Sequence, residues 1–303
     1  MNNPLRNIFK LQIKTLTGFD FQDFVVDLFL LKYGEQGFTV IRKKKDKGCD
    51  GIINGEKRVI ACYGPEDATQ KKFEDKADDD FKDYQNNWGK KYPKWMFIVN
   101  QDISPAQINK IESLKSGTPL LGTQQILSII EGLKNDQRRK LAKYLKIEDE
   151  FISSDYLGEI FEDLLKGSET ALDNIKYDTK GRINTEEKIA INYDKSDIEE
   201  AINEYGLLME SGSLKKVSDL LFGYEDEEID RMKHRILYDY SNLTIGSFKT
   251  RLKQLTEHYL VKYSSENDDD YLHYIRTVLI YLFEQCLIGR KIKQENDIAA
   301  SRK

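Results

Sequence analysis

The chain is poor in the residues that staple a fold or hold a metal. Its 303 residues include three cysteines and three histidines. Cys49, Cys62 and Cys286 show no CxxC spacing, and an odd count argues against a disulfide framework. His234, His258 and His273 all fall in the second half, away from Cys49 and Cys62, so a zinc site is not expected. No apolar run reaches membrane-spanning length, and the start (Met1-Asn2-Asn3-Pro4-Leu5-Arg6) lacks a signal-peptide pattern. The expectation is a soluble, reduced, cytoplasmic protein with no membrane partner. No GxxxxGK[ST] occurs, so P-loop ATP hydrolysis is not expected of this chain.

What the chain has in quantity is charge, 33% of its residues, unevenly spread. Residues 1–150 carry 26 Lys+Arg against 22 Asp+Glu, and the remainder 21 against 30. A mildly basic first half beside an acidic second half is compatible with nucleic-acid contact by the first. Solvated helix faces give the same balance, so charge alone decides nothing.

Periodicity organises the first half as a layered α/β domain. Residues 5–16 read as a short helix, and residues 20–33 as a longer one, stopped by Gly34 and Gly37. Strands are expected at 38–42, 49–53 and 58–63, with Asn54-Gly55 as a tight hairpin turn. Gly64-Pro65 ends the third strand, and a polar helix spans 69–88 with Phe73, Phe81 and Tyr84 inward. The continuous apolar run 95–99 reads as a buried central strand. Ser104 and Pro105 open a helix over 104–114, a short strand follows at 119–121, and Thr123 caps a helix over 124–133. The second half shows almost no strand signal. Helices are expected at 155–165, 197–209, 214–222, 225–240, 245–263 and 270–286, with 176–193 as loop or linker. The acidic runs 225–228 and 267–270 are placed to open helices, where carboxylates suit the dipole. The last of these helices is apolar on most sides and is expected to be buried among others or in an interface.

One constellation carries chemistry. Asp50 ends the strand Gly48-Cys49-Asp50-Gly51-Ile52, and the next strand runs Val59-Ile60-Ala61-Cys62-Tyr63. Metal-dependent phosphodiester hydrolysis needs carboxylates for the metal and a lysine to activate water or offset charge. Two such groups one residue apart on a strand share a face. By that parity Ala61 and Tyr63 are expected to face Asp50, with Cys62 and Cys49 turned away into the core. Neither Ala61 nor Tyr63 can do the chemistry. Glu66, with Lys71 or Lys72 one turn into the next helix, could supply a migrated carboxylate and ammonium around a metal held by Asp50; as surface residues they need no such role. The run Arg42, Lys43, Lys44, Lys45 with Lys47 precedes Asp50 directly and could grip phosphates, or be an ordinary charged turn.

Taken together, Gly18-Phe19-Asp20-Phe21-Gln22-Asp23-Phe24-Val25, the strand after it, Gly48–Ile52 and Arg58–Tyr63 resemble the Mrr-type branch of the PD-(D/E)xK restriction-endonuclease-like superfamily, over roughly residues 16–135. The resemblance implies a central mixed sheet flanked by helices, DNA as partner, and Mg²⁺ where activity survives. In the family an acidic residue often sits on the first helix; Gln22 stands there here, and Ala61 and Tyr63 replace the second acid and the lysine. Loss of hydrolysis with retained DNA or partner binding is the economical account; an Mg²⁺-dependent endonuclease built on Asp50, Glu66 and Lys71 or Lys72 is the alternative. Residues 195–292 resemble the C-terminal helical domain of ABC-three-component, Lamassu-like anti-phage systems. That implies a subunit of a bacterial defence complex in which the helical domain docks an SMC-like ABC ATPase and further operon-encoded subunits, or forms a homo-oligomer. The domain expectation is 1–150 for the restriction-endonuclease-like α/β domain, 151–195 for a helix and linker, and 196–303 for an all-α docking domain.

Overall fold

Strand-forming segments are confined to the first half of the chain, and the architecture follows from that. The computed structural model describes residues 1–41, 47–67, 69–166, 184–263, 269–285 and 287–290. Among these residues are thirteen α-helices and five strands. The chain divides into two compact units, Met1–Ile152 and Ser153–Lys303.

In the first unit, α1 (Asn3–Thr15) starts on Asn2, whose side chain accepts the Leu5 N–H. It buries Leu5, Phe9 and Ile13, one residue per turn. α2 (Gly18–Gly37) buries Phe21, Phe24, Val25, Leu28 and Phe29. Gly34 breaks the helical backbone at φ 70° without ending the element, which closes at Gly37. The sheet runs in the order β1 (Phe38–Val40), β2 (Gly51–Ile53), β3 (Arg58–Tyr63), β4 (Lys94–Val99) and β5 (Leu120–Leu121). The first three strands are antiparallel and the last three parallel, so the sheet is mixed. Parallel neighbours require crossovers. α3 (Gln70–Asn87) and α4 (Pro105–Leu114) supply them and pack against one another. Val59, Ala61, Phe97 and Val99 meet Phe73, Ala77, Phe81, Tyr84 and Ile111 in one apolar layer. α5 (Thr123–Glu131) contacts α1, and α6 (Asn135–Tyr144) contacts α2.

Local details depart from expectation for identifiable reasons. The hairpin turn spans Asn54 to Lys57, with Lys57 at φ 50° and its N–H on the Asn54 carbonyl. The strained position is therefore Lys57, not Gly55. Thr123 is the first residue of α5 and Gly122 its cap; the Thr123 hydroxyl donates to the Asn100 carbonyl instead. The strand expected over 49–53 covers only Gly51–Ile53: Asp50 lies at a bend before it, and Lys47 and Gly48 hold left-handed backbone at φ 58° and 71°. α6 was not expected at all. Its sequence is polar, and only Leu141 and Ala142 provide an apolar face.

The described elements of the second unit are all helices: α7 (Asp149–Lys166, beginning in the last residues of the first unit), α8 (Thr185–Asn192), α9 (Ile198–Glu210), α10 (Ser213–Leu221), α11 (Asp226–Asn242), α12 (Phe248–Leu260) and α13 (Asp269–Glu284). α13 buries Tyr271, Ile275, Val278, Leu279, Ile280, Leu282 and Phe283, and packs against α10 and α12. A helix with so wide an apolar surface needs neighbours on several sides. α8 lies where a loop was expected. Asn184 caps it by accepting the Glu186 N–H, two glutamates occupy its first turn, and Ile189 is buried. The rest of that expected loop, 176–183, lies outside the described residues, as do Asn267, Asp268 and Cys286. No described helix is long and apolar enough to cross a membrane.

Candidate functional site

Asp50 lies where the irregular segment before β2 meets β3. Its N–H bonds the Ile60 carbonyl at 2.9 Å, and its own carbonyl accepts from Ile41. Only 6% of the residue is exposed. Both carboxylate oxygens are engaged: Oδ1 accepts from the Gln22 amide on α2, and Oδ2 accepts the Cys62 backbone N–H at 2.6 Å. A carboxylate held by strand and helix donors is oriented without needing a metal.

The backbone explains how these elements meet. Gly48 sits at φ 71°, and a Cβ there would lie 2.5 Å from the Asp80 carbonyl of α3. Only glycine allows that approach. Gly64, past β3, is equally close to Phe21: a Cβ would stand 2.6 Å from its side chain. The Gly18 N–H bonds the Gly64 carbonyl at 2.8 Å, tying the start of α2 to the end of β3. Asn100, 3% exposed at the end of β4, donates to the Leu16 carbonyl at 2.7 Å and to that of Pro65 at 3.3 Å. One amide thus braces the two segments that border the site.

The result is a cleft of about 280 Å³. Asp50, Gln22, Cys62 and Tyr63 line one side, Lys76 and Asp80 of α3 another, and Phe19 stands at the start of α2. Asp80 is also only 6% exposed and pairs with Lys76 one turn earlier. Burial pushes the Tyr63 phenol up, while the Lys72 and Lys76 charges oppose the shift. Tyr63 therefore stays protonated near neutral pH and can donate a hydrogen bond.

The structure brings Gln22, Asp50 and Tyr63 together. It does not bring the others. Ala61 is buried in the layer against α3, on the side of Cys49 and Val59. Cys62, expected in the core, is half-buried and lines the cleft beside Asp50. Strand parity misplaced Ala61 and Cys62 because the regular strand begins only after Asp50. Glu66, Lys71 and Lys72 are exposed, none lines the cleft, and Lys72 lies 3.4 Å from Asp67. Lys47 is exposed next to Gly48; Arg42, Lys43, Lys44 and Lys45 lie outside the described residues.

Lys76 and Asp80 escaped the sequence reading, although a signal existed. The inward stripe of α3 is Phe73, Ala77, Phe81 and Tyr84. Asp80, seven residues past Phe73, falls on the same phase. A carboxylate at a core-facing phase is unusual unless it is paired.

As arranged, the donor set does not fit the Mg²⁺ that the resemblance implies. Mg²⁺ asks for near-octahedral oxygen ligands, usually with one or two carboxylates available to it. Here Asp50 is hydrogen-bonded through both oxygens and Asp80 faces an ammonium. Among the described residues, no cluster of three His, Cys, Asp or Glu side chains could hold a metal ion. Compared with protein-family profiles, curated proteins and solved structures, the chain matches none.

Proposed function

We propose that the first unit is a restriction-endonuclease-like module that binds DNA without hydrolysing it. The observation that carries this is the state of Asp50. Its two oxygens are taken by Gln22 and the Cys62 N–H, while the position that should give a second acid, Ala61, is a core methyl. A mixed sheet with helical crossovers, and a cleft at the junction of its two halves, is consistent with that fold class. Phosphate contacts are assigned to the basic run Arg42, Lys43, Lys44, Lys45 and Lys47, with DNA affinity falling as salt rises.

The second unit is proposed to dock this module onto a partner of a bacterial anti-phage complex, an SMC-like ABC ATPase. The resemblance over residues 195–292 supports it, together with exposed Leu207, Met209 and Leu272 on the helices of this unit. Any ATP hydrolysis belongs to that partner.

Two measurements test the reading. In gel-shift titrations at low salt the chain is expected to retard DNA, and Lys43→Glu combined with Lys44→Glu is expected to weaken the shift; no retardation at any concentration would overturn the DNA-binding assignment. Co-expression with the SMC-like ABC ATPase proposed as its partner is expected to yield a stable complex that Leu207→Asp with Leu272→Asp dissolves. Recovery of the ATPase free of this chain would overturn the docking assignment.

A further inference from the structure

Phe19 is 77% exposed on the first turn of α2, at the mouth of the cleft that holds Asp50. The core does not need it. Phe21 and Phe24 on the same helix are fully buried, Phe21 beside Gly64 and Phe24 against the Tyr144 ring of α6. Its position is fixed nonetheless, since Gly18 before it takes φ 51° and bonds Gly64 at 2.8 Å. A ring held outward by a tethered backbone presents its face to solvent.

The neighbours give that face a use. Tyr63, stacked on Phe97, lines the same cleft. Lys76, paired with Asp80, lines the cleft as well, and Lys47 is exposed beside Gly48 of the cleft wall. Aromatic faces beside cations are how proteins hold unpaired nucleotides: bases stack on the rings and phosphates meet the ammonium groups. A ring face can stack on a base only where that base is freed from its duplex neighbours, so the exposed Phe19 ring at the cleft mouth favours an unpaired strand.

We infer that this cleft takes single-stranded DNA, with one base stacked on Phe19. The inference rests on the DNA-binding reading above and narrows its substrate class.

The test is fluorescence anisotropy of the full chain at low salt, with a labelled oligothymidine and a labelled duplex of equal length. The wild type is expected to prefer the single strand. Phe19→Ala is expected to weaken single-strand binding about tenfold, the loss of one stacked base, and to leave duplex binding nearly unchanged. Phe19→Trp is expected to retain binding, with its emission quenched by oligothymidine. Equal affinity for both DNAs, unmoved by Phe19→Ala and without quenching, would overturn the stacking assignment while leaving DNA binding intact. No binding of either DNA overturns both readings. An effect of Phe19→Ala on recovery of the ATPase, with none on DNA, would reassign the ring to a protein contact and sink the inference.

Discussion

At the scale of single residues, the site depends on close approaches that only particular side chains allow. Gly48 is the clearest. Alanine there combines left-handed backbone with a Cβ 2.5 Å from the Asp80 carbonyl, so Gly48→Ala is expected to lower stability by about 1–3 kcal/mol. Urea denaturation followed by circular dichroism measures it, and an unchanged midpoint would show that the segment relaxes at no cost. Asn100→Leu removes two hydrogen bonds and strands the Leu16 and Pro65 carbonyls. A loss of roughly 1–3 kcal/mol is expected in the same assay. DNA affinity should fall with it, because the segments around Phe19 and Gly64 lose their brace. Asp50 itself was legible in the sequence; the residues around it were only partly so. Counting alternate positions back from a strand works while the backbone is extended, and Asp50 lies at a bend just outside β2. That is why Cys62, not Ala61, stands beside Asp50. Asp80 and Lys76 were hidden by a different cause, a strongly charged helix in which one buried carboxylate looks like its solvated neighbours.

At the scale of elements, helices and strands with strong periodicity were readable, and elements sustained by tertiary contacts were not. α3 and β4 match the expectation to within a residue or two, since an inward aromatic stripe and an unbroken apolar run have few other solutions. α6 and α8 were missed because each is short and polar, and each gains its stability from a few buried residues rather than from propensity. In α8 one of those is Lys188, 1% exposed. It donates to the Phe283 carbonyl near the C-terminus of α13 and lies 4.2 Å from the centre of the Phe283 ring. A cation suits a helix C-terminus and an aromatic face. Between α11 and α12, Asp239 accepts from Arg235 and from the Tyr259 hydroxyl, both at 2.8 Å. Tyr259→Phe removes one charge-assisted bond from a carboxylate with little solvent, and is expected to lower stability by about 1–3 kcal/mol. A thermal melt indistinguishable from the wild type would mean that water replaces the phenol.

At the scale of the whole molecule, strand signals in the first half and their near absence in the second predict an α/β half and a helical half, and the contacts give two compact units. What composition could not convey is how many tyrosines the second unit buries. Burial pushes Tyr193 up to about 12 and raises Tyr259 and Tyr263 further, in both of the latter with a neighbouring aspartate adding to the shift. In the unfolded chain these phenols ionise near pH 10. Their folded pKa values are raised, so the unfolded state releases protons first as pH climbs. Stability of the helical unit is therefore complete below about pH 10 and declines above it. Tyr193 and Tyr259 each contribute at most ~1.4 kcal/mol per pH unit in that window. Denaturation midpoints taken on either side of pH 10 measure the decline, and Tyr259→Phe should flatten it. A midpoint independent of pH across that range would contradict the burial of these phenols.

The central claim is that Asp50 orients a binding cleft and does not hold a catalytic metal. The most direct measurement is incubation of the purified chain with supercoiled plasmid and Mg²⁺. Wild type, Asp50→Ala and Asp80→Asn are run side by side, and binding to the same plasmid is measured in parallel. The account predicts DNA binding by the wild type and no conversion to nicked or linear forms for any of the three. Cleavage by the wild type that disappears in both variants would contradict it, and would make the Asp50 and Asp80 pair the metal site of a working nuclease.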